Sequence, residues 1–241
     1  MCTLSWQVHP QGYDLCFTRD EQRSRALAES PAVHQVDEGL HYLAPTDPQG
    51  GGTWIFINAH GLTGALLNAY ELAEHCATEA PQSRGQLLRS LATAETVAAF
   101  DQSLSEVVNP NYPPCYLFAL AADGSVGFWL WNGHSLEPQT IPANQFFTTS
   151  SVQPEAVRTH RAERFRRELG LPPYTSEALE QFHHDANSHL SAFDVRMSRR
   201  DARSVSLTKT YCTRDARQMH YAPRDGDGPF APFARVTLEE K

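Results

Sequence analysis

The second residue of the chain is a cysteine, in the opening run MCTLSWQV. If Met1 is removed, Cys2 carries a free α-amino group and a thiol on one residue. The reference pKa of a thiol is ~8.5 and that of an α-amine ~7.7–8.0, so near neutral pH the amine is about half neutral and can take the thiol proton, directly or through one water. Nucleophile and base then share a residue, the economy of N-terminal nucleophile chemistry. A nearby guanidinium would favour the thiolate. The alternative for Cys2 is plain: a small residue that methionine aminopeptidase tolerates.

What must position such a group is a hairpin. Residues 2–8 and 13–19 alternate as strands, and HPQG between them carries turn residues. Antiparallel pairing across that turn sets residues whose numbers sum to 21 opposite one another, so Cys2 faces Arg19. Asp20 or Glu21, next along the chain, would orient the ammonium. A second hairpin runs GGGTWIFIN, turn NAHG, then LTGALLN, and the same counting places Thr53 near Asn68. Gly50, Gly51 and Gly52 precede its first strand, where backbone freedom or close approach is needed; a flexible loop is the alternative.

Helical spacing appears at 70–78, 84–106, 154–169 and 175–191. Pro154 suits a first turn and Thr175 or Ser176 a cap. CYLFALA and SVGFWLW flank a hairpin turn, SLEPQTI is a weaker strand, and strands close the chain at 203–212, 216–221 and 233–238. Locally paired strands with helices grouped between them indicate an α+β fold. No Gly-, Ser- or Pro-rich linker divides the chain, which reads as one domain over residues 1–241.

The whole-chain numbers bound the partners. The net charge of -8 with 20 Lys+Arg argues against nucleic acid or an anionic membrane surface. The densest basic run, RTHRAERFRR at 158–167, alternates with apolar residues and reads as a solvated helix face. Five cysteines at irregular spacing, without C-x-x-C, suggest neither a disulfide framework nor a zinc ribbon, and fit a reducing cytoplasm. No signal peptide and no apolar run of membrane-spanning length is visible. Cys16 and Cys212 read as small buried hydrophobes, and Trp129 and Trp131 as core on one strand face. HHDANSH at 183–189 offers two-residue pairs at helical spacing, too few for zinc, and reads as a polar helix face. No phosphate-binding glycine motif occurs.

The opening MCTLSW, then TRDEQRSR, GGGTWIFINAHGLTGALLNAY and SRGQLLRSL, in this order, resemble the NRDE family, the transport and Golgi organization protein 2-like proteins. The resemblance covers about the first 95 residues. It implies an N-terminal nucleophile hydrolase-like fold, a four-layer αββα sandwich of mostly antiparallel sheets. It implies Cys2 as nucleophile with its amine as base, Arg19 and Asp20 tuning the thiolate and holding the amine, and Asn68 as oxyanion donor. Arg203 resembles the late arginine near the active site of related cysteine-type hydrolases. Two departures stand out: the signature asparagine is Thr18, and a mid-chain Ser-Asn is Ser150-Ser151.

The reading that follows is an amidohydrolase for a small non-peptide C–N amide, needing no cofactor, with strand aromatics and aliphatics hinting at an apolar acyl or ring group. The rival reading, also implied by the resemblance, is a non-enzymatic binding or trafficking protein for haem or another apolar ligand, with His60, Cys2 or Cys16 as axial ligand. The absence of C-x-x-C-H gives covalent haem no support.

Overall fold

The computed structural model describes residues 2–36, 39–75, 78, 80–184, 186 and 191–238. Two antiparallel sheets lie face to face. The first has six strands in the order β10-β1-β2-β11-β12-β13, comprising β1 (Cys2–His9), β2 (Gly12–Gln22), β10 (Phe146–Thr149), β11 (Ala202–Thr213), β12 (Arg217–Pro223) and β13 (Ala234–Leu238). The second runs β3 to β9 in sequence order: β3 (Glu29–Gln35), β4 (His41–Thr46), β5 (Ile55–Asn58), β6 (Thr63–Asn68), β7 (Cys115–Leu120), β8 (Val126–Trp131) and β9 (Leu136–Pro138). Among the described residues the α-helices are α1 (Arg84–Ser90), α2 (Val97–Val107), α3 (Pro154–Leu169) and α4 (Ser176–His184).

Three apolar layers follow from strand alternation. Leu4, Trp6, Leu15 and Phe17 point inward from the first sheet to meet Ile55, Ile57, Leu67 and Phe118 of the second. Phe56, Leu66, Leu117, Trp129 and Trp131 use the other face of the second sheet to bury α1 and α2 residues. Cys16, Phe146 and Leu207 meet Phe165, Leu179 and Phe182 of α3 and α4. The result is the αββα sandwich. No helix among the described residues is long and apolar enough to cross a membrane.

Several sequence expectations are met. Cys2 faces Arg19, Pro154 opens α3, and the Thr175 hydroxyl caps α4 by accepting from the Ala178 amide at 3.1 Å. The second hairpin is slipped by one residue. Ile57 pairs with Thr63 and Ile55 with Ala65, which would set Thr53 opposite Leu67 rather than Asn68. The cause is the turn: Gly61 adopts φ 77, its amide bonds the Asn58 carbonyl, and Asn58 N–H bonds the Leu62 carbonyl. That is a three-residue loop closed by a left-handed glycine, one residue shorter than NAHG suggests. The 84–106 helix is broken into α1 and α2, with Thr96 capping the second through the Ala99 amide. Tyr70–His75 is a 3-10 helix and α4 spans Ser176–His184; residues 76, 77, 185 and 187–190 of the expected helices lie outside the described residues.

The basic run is corrected more sharply. Arg161 and Arg164 are buried alongside Val157 and Phe165, so the inward stripe of α3 is half arginine. It is buried because the outer face of the first sheet beneath it is polar, with Thr3 and Thr148 turned toward the helix. His183 is corrected too. It is fully buried, with Nε2 2.9 Å from Ser5 Oγ and Nδ1 2.7 Å from Thr18 Oγ1, and burial pushes its pKa down to about 3. Asp185, Asn187 and His189 of the HHDANSH motif lie outside the described residues.

Candidate active site

The first sheet places Cys2 between two neighbours: Arg19 on β2 and Thr149 on β10. All three side chains belong to one face of the sheet, at the end where β1 begins. Cys2, Arg19, Asp20 and Asn68 line a cleft of about 560 Å³. The cleft is walled by the Gly50–Trp54 approach to β5, by Tyr70, by the start of α1 and by the segment entering β11. Gly52 is required here, since a Cβ would stand 2.2 Å from the Gly85 backbone; the close approach lets Thr53 N–H bond the Gly85 carbonyl at 3.1 Å.

Arg19 is held on three sides. Its guanidinium carbon lies 4.2 Å from the Trp54 ring centroid, and Nη2 is 3.0 Å from Glu21 Oε2 and 3.8 Å from Asp47 Oδ2. Arg25 binds Asp47 in turn. Glu21 is therefore committed to arginines.

Asp20 accepts through Oδ1 from Ser204 Oγ at 2.5 Å, and the bulge in β11 at Ser204 brings that hydroxyl over. Its Oδ2 is buried with no hydrogen-bond partner, 4.0 Å from Arg161 Nη2. Arg161 is fully buried and fixed by Thr3 Oγ1, Thr148 Oγ1 and the carbonyls of Ala192 and Asp194, all within 2.9 Å. A buried carboxylate oxygen without a hydrogen bond, beside the first strand residue, is an acceptor for a further donor.

Cys2 is 7% exposed, and burial, with the Asp20 charge, pushes its thiol up; the positive amino terminus, a hydrogen bond from the Asp20 backbone and the Arg19 charge pull it the other way and do not win. Arg19 acts on the thiol in the expected direction, lowering it. Two carboxylates already draw on Arg19, and desolvation outweighs its field. Burial raises the other described thiols as well, Cys16 and Cys115 to about 12 and Cys212 in the same direction.

Asn68 sits at the end of β6 and donates Nδ2 to Tyr70 Oη at 3.0 Å. A carboxamide nitrogen has two hydrogens, so one remains for the cleft. Arg203 is not brought in. It bonds Asp225 Oδ1 at 3.0 Å and does not line the cleft, whereas Arg199, Asp201 and Ala202 just before it do. Thr18 faces α4 through His183, so the departure from the signature asparagine lies off the cleft. Ser151 lines the cleft, and Ser150 turns its hydroxyl to the Val152 carbonyl. Sequence reasoning missed Arg161, Ser204, Trp54 and Tyr70; the stripe of α3 at 157, 161, 164 and 165 was the one readable signal.

Of the alternative axial ligands in the rival reading, Cys2 lines the cleft while His60 and Cys16 lie elsewhere. His60 is exposed in the β5–β6 turn, which Tyr13 Oη holds through the Gly61 carbonyl, at the far end of β2 from Arg19. Six strand residues separate those ends by roughly 20 Å. Cys16 is sealed under α4. Among the described residues no three His, Cys, Asp or Glu side chains cluster to hold a metal.

This sandwich of two antiparallel sheets between helices is an N-terminal nucleophile hydrolase-like fold. The chain belongs to the Transport and Golgi organisation 2 family, whose model matches residues 1–169. In fold it is similar to the Caenorhabditis elegans ortholog of N-acylethanolamine-hydrolyzing acid amidase, with TM-score 0.60 and 11% identity over 87% of this chain and 92% of that one. It is also similar to a variant of the conjugated bile acid hydrolase of Clostridium perfringens, with TM-score 0.50 and 10% identity over 100% of this chain and 97% of that one. No curated protein matches the chain.

Proposed function

We propose that the protein is an N-terminal cysteine amidohydrolase that cleaves a small non-peptide C–N amide bond once Met1 is removed. The observation that carries this is the buried Oδ2 of Asp20, which accepts no hydrogen bond, next to the first residue of β1. A newly freed α-ammonium at Cys2 is the group it would hold. That the two proteins of similar fold are an N-acylethanolamine-hydrolyzing acid amidase ortholog and a conjugated bile acid hydrolase supports the same reading.

In the forward step the α-amine takes the thiol proton. Sγ attacks the amide carbon, an S–C bond forms, and the carbonyl π electrons move to oxygen. The spare Asn68 N–H and a backbone N–H hold that oxyanion, a contribution of ~2.7–4 kcal/mol where geometry is favourable. The α-ammonium then protonates the leaving nitrogen, the C–N bond breaks, and a thioester remains. Water, deprotonated by the amine, attacks the thioester; the S–C bond breaks and the acid is released. Asp20 keeps the amine oriented through both halves. Arg19 holds positive potential over the cleft without contributing a proton.

A cleft of about 560 Å³ suits a small molecule. The test is turnover of a panel of small amides by mature protein and by Cys2→Ala. Release of amine by the first and not by the second is expected. Equal release by both, or none from any amide by protein proven to lack Met1, would contradict the reading.

A further inference from the structure

The ionic groups that line the cleft nearly cancel. Arg19, Arg25, Arg84 and Arg199 stand against Asp20, Glu21, Asp47 and Asp201. Arg19 is taken by Glu21, Arg25 by Asp47, and Arg199 by Asp201 at 2.6 Å. That leaves Asp20, with Arg161 and the future α-ammonium as its cations, and Arg84. Among the described residues Arg84 has no carboxylate within ion-pair distance; its one hydrogen bond is from Nη1 to the Pro114 carbonyl at 3.2 Å. It is half-buried at the first position of α1, and α1 is anchored to the cleft wall by the Gly52–Gly85 backbone contact. A guanidinium fixed at a cleft wall, partly withdrawn from water and lacking an anion, presents a planar fork of donors that matches a carboxylate.

We infer that Arg84 is a specificity-determining residue and that the substrate carries an anionic group, a carboxylate or its equivalent, seated on it. This rests on the cleft being the amide site proposed above. It also replaces the apolar group hinted at by the sequence, because the cleft walls are built chiefly of charged and polar side chains.

The experiment needs no turnover. Mature protein is alkylated with iodoacetylglycine and, separately, with its neutral match iodoacetylglycinamide, and the Cys2 peptide is followed by mass. In each case the sulfur displaces iodide, so the reagents differ only in charge at the far end. The anionic reagent is expected to react about fivefold faster, the scale of one partly exposed ion pair. Arg84→Met should bring the ratio near one, and Arg84→Lys should keep part of it. Arg89→Met, which removes a charge from the same helix outside the cleft, should keep all of it. Equal rates in the wild-type protein, or a preference that survives Arg84→Met, would overturn the anion site alone. Failure of both reagents at Cys2 would overturn the nucleophile assignment and this inference with it.

Discussion

Cys2 and Arg19 are Cα partners across the β1–β2 ladder, on the same face of the sheet and in the same cleft. The hairpin needs only a tight turn and two alternating strands to achieve this. The guanidinium it delivers is shared with Glu21 and Asp47, so its pull on the sulfur is partial. We predict that Arg19→Met slows alkylation of Cys2 by iodoacetamide at neutral pH by roughly three- to tenfold, as expected for an opposing charge worth about a pKa unit or less. An unchanged rate would show that Arg19 serves packing on Trp54 alone.

Burial raises the thiol while the chain still begins at Met1. Intact mass should show loss of Met1, and the mature Cys2 should be alkylated faster than any other thiol. Protein carrying an uncleaved extension ahead of Met1 should react at Cys2 many times more slowly. Similar rates with and without a free amine would remove the amine from the mechanism.

Asp20 is predicted to act through the amine. Asp20→Asn keeps an acceptor for Ser204 and loses the charge. Amide turnover should fall at least ~100-fold, the lower range for a positioned proton-transfer group, with near-UV circular dichroism retained. A fall in KM-controlled binding with kcat intact would place Asp20 outside the proton path.

Arg161 is the cation that lets Asp20 be buried. Arg161→Met leaves a buried carboxylate uncompensated and four acceptors without their donor, and should cost about 3–5 kcal/mol of stability in denaturant titration. A loss under 1 kcal/mol would mean that Asp20 is already neutral in the folded protein.

His183 supplies the pH dependence. Its folded pKa, about 3, lies below the ordinary value of 6.5 because burial between Ser5 and Thr18 excludes charge. Between those values the unfolded chain binds a proton that the native one does not, so stability falls on acidification from 6.5 toward 3, by up to ~1.4 kcal/mol per pH unit from this group. His183→Gln should flatten that slope. An equal slope in the variant would assign it to other groups.

How much of this was legible is instructive element by element. The first hairpin could be registered from its turn, and with it Cys2 against Arg19. The second could not, because a single left-handed glycine at 61 shortens the loop and moves every later residue by one. Strand β3 carries Pro31 and mostly exposed residues on a sheet edge, so it shows no alternation to read. Strand β10 is four residues long, too short for a periodic signal. The buried arginines of α3 defeat any hydropathy rule, since their layer is held by hydrogen bonds to threonines and carbonyls that lie far away in sequence. Arg203, read as a site residue, turns outward to Asp225, and strand position alone did not tell which arginine of the segment faces the cleft.

The most direct measurement is rapid quench of mature protein with a cleavable amide, followed by mass analysis of the N-terminal peptide. The account predicts an acyl group on Cys2, labile to hydroxylamine, that forms and decays at rates consistent with turnover and is absent in Cys2→Ala. Amine release from the same amide with no acyl group ever found on Cys2 would contradict it.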